Sequence, residues 1–231
     1  MRLDVPYRLV DRLDTGRLVA FVETRLAPLF APGAPAWEAV AARARFIGAA
    51  ERPPDVGYRK MRPTGYLQLC VENDEVPPSP WALAIPADVA AAGELAALVA
   101  PAVELCRRAY GAGVLHFCVF AVLAPGGEVP RHRDMPHDLN KKAFSHHLHV
   151  PLTGQDGAEL TVGDTTFRLA PGGAYEIDNL VPHAAANRGA QARVNLMLDW
   201  TPEANLARRA APSPPVPPPG PAAPGPGDPP G

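Results

Sequence analysis

The chain has 231 residues, 47% of them hydrophobic, which suits one cored domain with appendages rather than several domains. A formal net charge of −2 and a pI near 6.4 leave no basic stripe, and so argue against nucleic acid as the main partner. No run of about 18 uncharged apolar residues exists to span a membrane, and the opening MRLDVPYRLV has no apolar leader region. Together with three cysteines, Cys70, Cys106 and Cys118, which share no ligand-like spacing and read as buried thiols, this leads us to expect a cytoplasmic protein.

Residues 1–113 read as a largely helical part of the same domain. Asp14 is placed to cap a helix carrying Leu18, Phe21, Val22 and Leu26. A second helix is expected around Trp37 to Phe46. A third should begin near Pro86 and Asp88 and carry Leu95, Leu98, Val99, Val103 and Leu105, with a break or kink at Pro101. Between them Gly65–Val71 alternates as a strand does.

From 114 to about 205 the period of the hydrophobic pattern changes to two. Strands are expected at Leu115–Leu123, Ser145–Pro151, Glu159–Val162, Thr165–Leu169, Ala174–Ile177, His183–Asn187 and Arg193–Asp199, most separated by Gly, Pro, Asn or Asp. Many short, evenly spaced strands suggest a sandwich or small barrel, so the fold class is α+β with a mainly β core. Residues 206–231 read as a Pro/Gly-rich tail. Its last 21 residues hold 11 prolines and 4 glycines, a composition that buries little apolar surface and is expected to be disordered, with no partner protein implied.

Six of the seven histidines fall between His132 and His183. In His132-Arg133-Asp134, residues two apart on an extended segment point to one side with Cα atoms about 6.5 Å apart, so an imidazole and a carboxylate can meet on one ion. His183 is followed by Asn187, Gly189 and Arg193. A turn at Arg188-Gly189 would fold this stretch into a hairpin in which His183 and Arg193 face each other. In the strand Arg193–Asp199, Arg, Asn, Met and Asp share one face and Val, Leu and Leu the other, a pattern that an ordinary half-exposed strand and a strand whose polar face lines a cavity explain equally well. Two histidines and one carboxylate leave coordination positions open for a co-substrate and O₂, which suits non-haem Fe(II). The cationic fork of Arg193 suits a dicarboxylate such as 2-oxoglutarate.

The segments HRDMPHDLN, HLHVPLTG and LAPGGAYEIDNLVPHAAANRGAQARVNLMLDW closely resemble the aspartyl/asparaginyl β-hydroxylase family, a grouping that includes bacterial proline hydroxylases. The resemblance runs from about Val114 to Trp200 and is most specific in its last third. It implies a double-stranded β-helix with a helical N-terminal part packed on it. It implies Fe(II) held by His132, Asp134 and His183, and 2-oxoglutarate anchored through its C5 carboxylate by Arg193. The family's Arg-x-His-x-Pro-Leu-like segment reads His147-Leu148-His149-Val150-Pro151-Leu152 here. His149 matches, and His147 replaces the arginine that helps hold the C1 end. Animal aspartyl hydroxylases lack the carboxylate ligand; Asp134 makes this chain look more like the bacterial branch. The implied substrate is an amino acid, free or within a peptide.

Other residues read more plainly. His137 and His146 are expected on loops or facing solvent, Asn187 in a turn, and Asp178-Asn179 shaping the turn before His183. Lys141 and Lys142 are expected to form a solvated pair. The main rival function is a cupin-type metalloenzyme using His147, His149 and His183 without 2-oxoglutarate, which leaves His132-x-Asp134 unexplained. A non-catalytic binding barrel would be marked by a lost ligand or a lost Arg193, and neither is lost. A halogenase would need an empty position where Asp134 stands.

Overall fold

The computed structural model describes residues 3–27, 62–70, 92–132 and 143–209, the second of these segments as backbone. The expected helix around Trp37 to Phe46, the start near Pro86 and Asp88, and the tail beyond 209 lie outside the described residues. In chain order come β1 (Tyr7–Arg12), α1 (Gly16–Phe21), a π-helical turn (Val22–Leu26), β2 (Arg62–Cys70) and α2 (Ala92–Tyr110). Then follow β3 (Gly113–His132), β4 (His146–Thr153), β5 (Ala158–Val162), β6 (Thr165–Phe167), β7 (Gly173–Ile177), β8 (His183–Asn187), β9 (Arg193–Pro202) and α3 (Glu203–Arg209).

The strands pair in the order β1-β7-β4-β9-β3-β8-β5-β6, with β2 on the free side of β3. The long β3 links the two halves of this order. Its first part, Gly113 to Leu123, pairs antiparallel with β9, and its last residues, Glu128 to His132, pair with β8. One layer is therefore β1-β7-β4-β9-β3 and the other β3-β8-β5-β6. Residues from both pack together: Leu160 and Val162 of β5 meet Ile177 of β7, and Tyr7 of β1 stacks on Phe167 of β6 with ring centroids 3.8 Å apart. This is a double-stranded β-helix, mainly antiparallel, with few helices.

The helices cover the outer face of the first layer. In α2 the buried residues Leu95, Leu98, Val99, Ala102, Leu105 and Cys106 recur at helical spacing and make one stripe. With Leu18, Phe21, Val22 and Leu26 they pack on Phe120 and Val122 of β3, Leu148 and Val150 of β4, and Leu196, Leu198 and Trp200 of β9. Alternation then sends the opposite side chains of β4 and β9 into the space between the layers. Both faces of these strands are covered, so polar residues turned inward must find partners there.

Several expectations need correction. Pro101 sits inside a continuous α2 rather than breaking it. Proline removes one helical hydrogen bond, to the carbonyl of Ala97, and both residues lie on the exposed side of the helix, where water can serve that carbonyl. Thr15 is the N-cap of α1; Asp14 instead accepts a hydrogen bond from the Gly16 amide at 3.0 Å. The N-terminal part also contributes β1, which pairs with β7. At the other end α3 runs to Arg209, across the expected boundary at 205/206. Among the described residues no helix is long and apolar enough to cross a membrane.

Candidate functional site

His132 ends β3 and His183 begins β8, and the antiparallel register makes them direct partners. Nδ1 of His132 donates to the Pro130 carbonyl at 2.7 Å, and Nδ1 of His183 donates to the Val181 carbonyl at 3.0 Å. Each ring thus bonds the carbonyl two residues before it, which fixes the tautomer with the lone pair on Nε2. The ring centroids are 4.4 Å apart at 58°, close enough for both imidazoles to ligate one cation. Asp134, His137, Lys141 and Lys142 lie outside the described residues. Among the described residues no group of three or more His, Cys, Asp or Glu is arranged to hold a metal.

The facing wall comes from β4 and β9. His147 pairs in register with Asp199, and its Nδ1 bonds the Asp199 carboxylate oxygen Oδ1. Nε2 of His147 lies 2.9 Å from Nε2 of His149. Nearer the start of β9 are Asn195, 1% exposed, and Arg193, 7% exposed, so this polar face is enclosed. The Asn195 amide is best satisfied with its oxygen toward the Arg193 guanidinium, 2.7 Å from Nη2. Burial, followed by the charges of His147, Arg193 and His183, pushes the His149 imidazole well below its ordinary value and keeps it neutral. Those causes put His149, Arg193 and His183 within electrostatic range of one another, although they come from different layers.

The hairpin expected between His183 and Arg193 does not form. β8 pairs with β3 and β5, whereas β9 pairs with β3 and β4. The turn carries the chain from one layer to the other, so Arg193 pairs with Leu123 and His183 with His132. Asn187 does serve this turn: its amide nitrogen bonds the carbonyls of Leu123 and Gln191, each at 2.8 Å, and its oxygen accepts from the Gly189 amide at 3.0 Å. Gly154, at φ +64°, allows the β4–β5 turn to lie against the Ala192 carbonyl at the entry to β9, where a Cβ would collide. Before His183, Asp178 accepts from the Leu180 amide at 3.1 Å.

His146 is neither on a loop nor facing solvent. It is 4% exposed on the helix-facing side of β4, stacked on Tyr110 with centroids 3.7 Å apart. Its Nδ1 bonds Glu176 Oε1 at 2.7 Å, while Glu176 Oε2 accepts from Arg8 Nε at 2.8 Å, Arg8 Nη2 at 2.6 Å and the Tyr110 hydroxyl at 3.0 Å. Burial raises the Glu176 carboxyl, but the bonds from His146 and Arg8 outweigh it, and the net shift is downward. Glu176 and Asp199 were missed as functional partners. The polar face of β9 gave a signal for Asp199; nothing local marks Glu176, whose partners lie on three other elements.

The family model for aspartyl/asparaginyl β-hydroxylases matches residues 87–202, half of the chain. Comparison with curated proteins finds no significant match. Among solved structures, a 2OG-Fe(II) oxygenase family oxidoreductase from Burkholderia pseudomallei is 14% identical, covering 83% of this chain and 94% of its own, with a TM-score of 0.47. A conserved Streptococcus pyogenes protein of unknown function is 24% identical over 38% of this chain, which spans only 65% of its length, with a TM-score of 0.29. A cupin 2 conserved barrel domain protein from Salinispora arenicola is 19% identical over 41% of this chain and 69% of its own, also with a TM-score of 0.29. The extent of the family match makes this chain a member of the aspartyl/asparaginyl β-hydroxylase family.

Proposed function

We propose that this chain is an Fe(II)- and 2-oxoglutarate-dependent dioxygenase that hydroxylates an amino acid, free or as a residue in a peptide. The observation that carries this reading is the His132–His183 pair, two partners in register whose Nδ1 atoms are both committed to backbone carbonyls. That donor set fits a divalent iron, with Asp134 as the third ligand two residues beyond His132. Bound there with 2-oxoglutarate and O₂, the iron would supply the oxidative decarboxylation that drives hydroxylation of a C–H bond.

The chain's own residues do the rest. Arg193, enclosed at the start of β9, would grip one carboxylate of 2-oxoglutarate with its planar fork. His149, held neutral, can hydrogen-bond the other end without adding charge beside the metal. His147, His149, Asn195 and Arg193 are buried, so this wall offers polar groups that are already oriented. A turnover assay with Fe(II) and 2-oxoglutarate against free amino acids and short peptides tests this, read as succinate formed and one oxygen atom gained by the substrate. Succinate formation with none of these substrates, at full iron occupancy, would count against it.

One observation favours a second reading, a cupin-type metal site. The His147 and His149 Nε2 atoms, 2.9 Å apart with Asp199 behind one ring, also suit two ligands and a supporting carboxylate. That reading gives the metal to His147, His149 and His183 and no role to His132.

A further inference from the structure

We propose that Asn179 is a specificity-determining residue that receives an amide group of the substrate; the inference rests on the reading above. Asn179 is 3% exposed, yet neither Nδ2 nor Oδ1 of its side chain has a hydrogen-bond partner among the described residues. The turn around it does not use this side chain. The Asn179 backbone N–H donates to the Ile177 carbonyl at 3.0 Å and the Asp178 N–H to the Pro6 carbonyl at 3.0 Å. The Leu180 N–H donates to the Asp178 carboxylate at 3.1 Å. A buried amide unpaired at both ends destabilises a fold, so it calls for a partner from outside the chain, a ligand or a water.

Its place favours a ligand. Residues 178–182 carry the chain from β7 in one layer to β8 in the other and lead into His183, the partner of His132. On the β8 side the Pro182 carbonyl accepts from the Gly163 amide at 2.9 Å. On the β7 side Leu148 pairs with Glu176, so β7 ends beside the start of β4, where His147 pairs with Asp199. Asn179 therefore stands at the barrel end that carries His132 and His183. Arg193 begins β9, at the opposite end of that strand from Asp199, so a co-substrate gripped there leaves this end to the substrate. The chemistry of the side chain then selects the partner. A carboxylate would take the Nδ2 hydrogens and leave Oδ1 unpaired, and an ammonium would do the reverse. A second amide satisfies both atoms at once, in a reciprocal pair of hydrogen bonds.

Two measurements on the full chain test this. In thermal denaturation without substrate, at least one of Asn179→Leu and Asn179→Ala should melt no lower than the unmodified protein, because each removes the unpaired atoms. Losses of several degrees in both would mean that an enclosed water already completes the bonding of the amide, and would overturn the proposal. For the substrate, Zn(II)-loaded protein with 2-oxoglutarate is titrated with N-acetyl amino-acid N-methylamides and with the free amino acids. Ligands that carry an amide should bind best, and the stable variant should bind them about tenfold or more weakly. A response to the blocked ligands alone identifies a peptide unit; a response to free asparagine or glutamine alone identifies a side-chain carboxamide. Equal binding with and without an amide, or unchanged amide binding in the variant, refutes the role of Asn179. If the unmodified protein binds no 2-oxoglutarate, the proposed function falls, while the melting comparison and the amide titration still decide the role of Asn179.

Discussion

Replacing Glu176 with leucine should destabilise the protein by about 2–4 kcal/mol. The side chain is fully buried and accepts four hydrogen bonds, but its donors differ in how much they would lose. Arg8 is half exposed and can return to water, so its share is about 1 kcal/mol at most. His146 is almost wholly enclosed and would keep an unpaired donor, costing about 1–3 kcal/mol. The half-buried Tyr110 hydroxyl adds about 1 kcal/mol. Relief from burying a charge offsets part of the sum. At about 2–4 °C per kcal/mol for a protein of this size, thermal denaturation should shift downward by roughly 5–15 °C. Arg8→Leu should cost only about 1 kcal/mol. An unchanged or higher melting temperature in Glu176→Leu, or equal losses in the two variants, would refute the assignment of Glu176 as the joint between β1, α2 and the barrel.

Three shorter predictions concern the site and the tail. Arg193→Leu should weaken 2-oxoglutarate binding by one to three orders of magnitude, since a charge-assisted bidentate pair in a closed site contributes about 2–4 kcal/mol; unchanged titration curves in a folded variant would assign the anchor elsewhere. His149 has a depressed folded pKa, so below the ordinary value of about 6.5 the unfolded chain takes up a proton that the folded chain refuses. Stability should therefore fall as pH drops below about 6.5, by up to about 1.4 kcal/mol per pH unit, and denaturation of His149→Gln should show a shallower acid slope. Deleting Ala211–Gly231 should leave thermal stability and turnover nearly unchanged, because its 11 prolines and 4 glycines offer little to bury; a loss of several degrees would contradict this.

The strands of the barrel were legible because their two faces differ. Val194, Leu196 and Leu198 alternate with Arg193, Asn195 and Asp199, and the structure buries the first set under helices and encloses the second between layers. The pairing of strands was less legible. β8 and β9 follow one another as a hairpin would, yet each pairs with a different half of β3, a consequence of layer-to-layer crossing that local spacing does not encode. β1 escaped notice because four of its six residues are exposed and its order comes from β7. His146 looked like one more loop histidine; the carboxylate that buries it comes 30 residues later, on a neighbouring strand. The pairing of His132 with His183 rests on β3 continuing through Pro125-Gly126-Gly127, a run that resembles a turn in sequence but is a bent strand with Gly126 at φ +72°.

Metal content is the most direct test of the proposed iron site. Asp134→Ala and His147→Ala, each purified anaerobically, loaded with Fe(II) and checked for folding, should be assayed for bound metal by elemental analysis. The hydroxylase reading predicts that Asp134→Ala loses most of its iron while His147→Ala keeps it and binds 2-oxoglutarate more weakly. Iron retained in Asp134→Ala and lost in His147→Ala would contradict that reading and give the site to the cupin-type set of His147, His149 and His183.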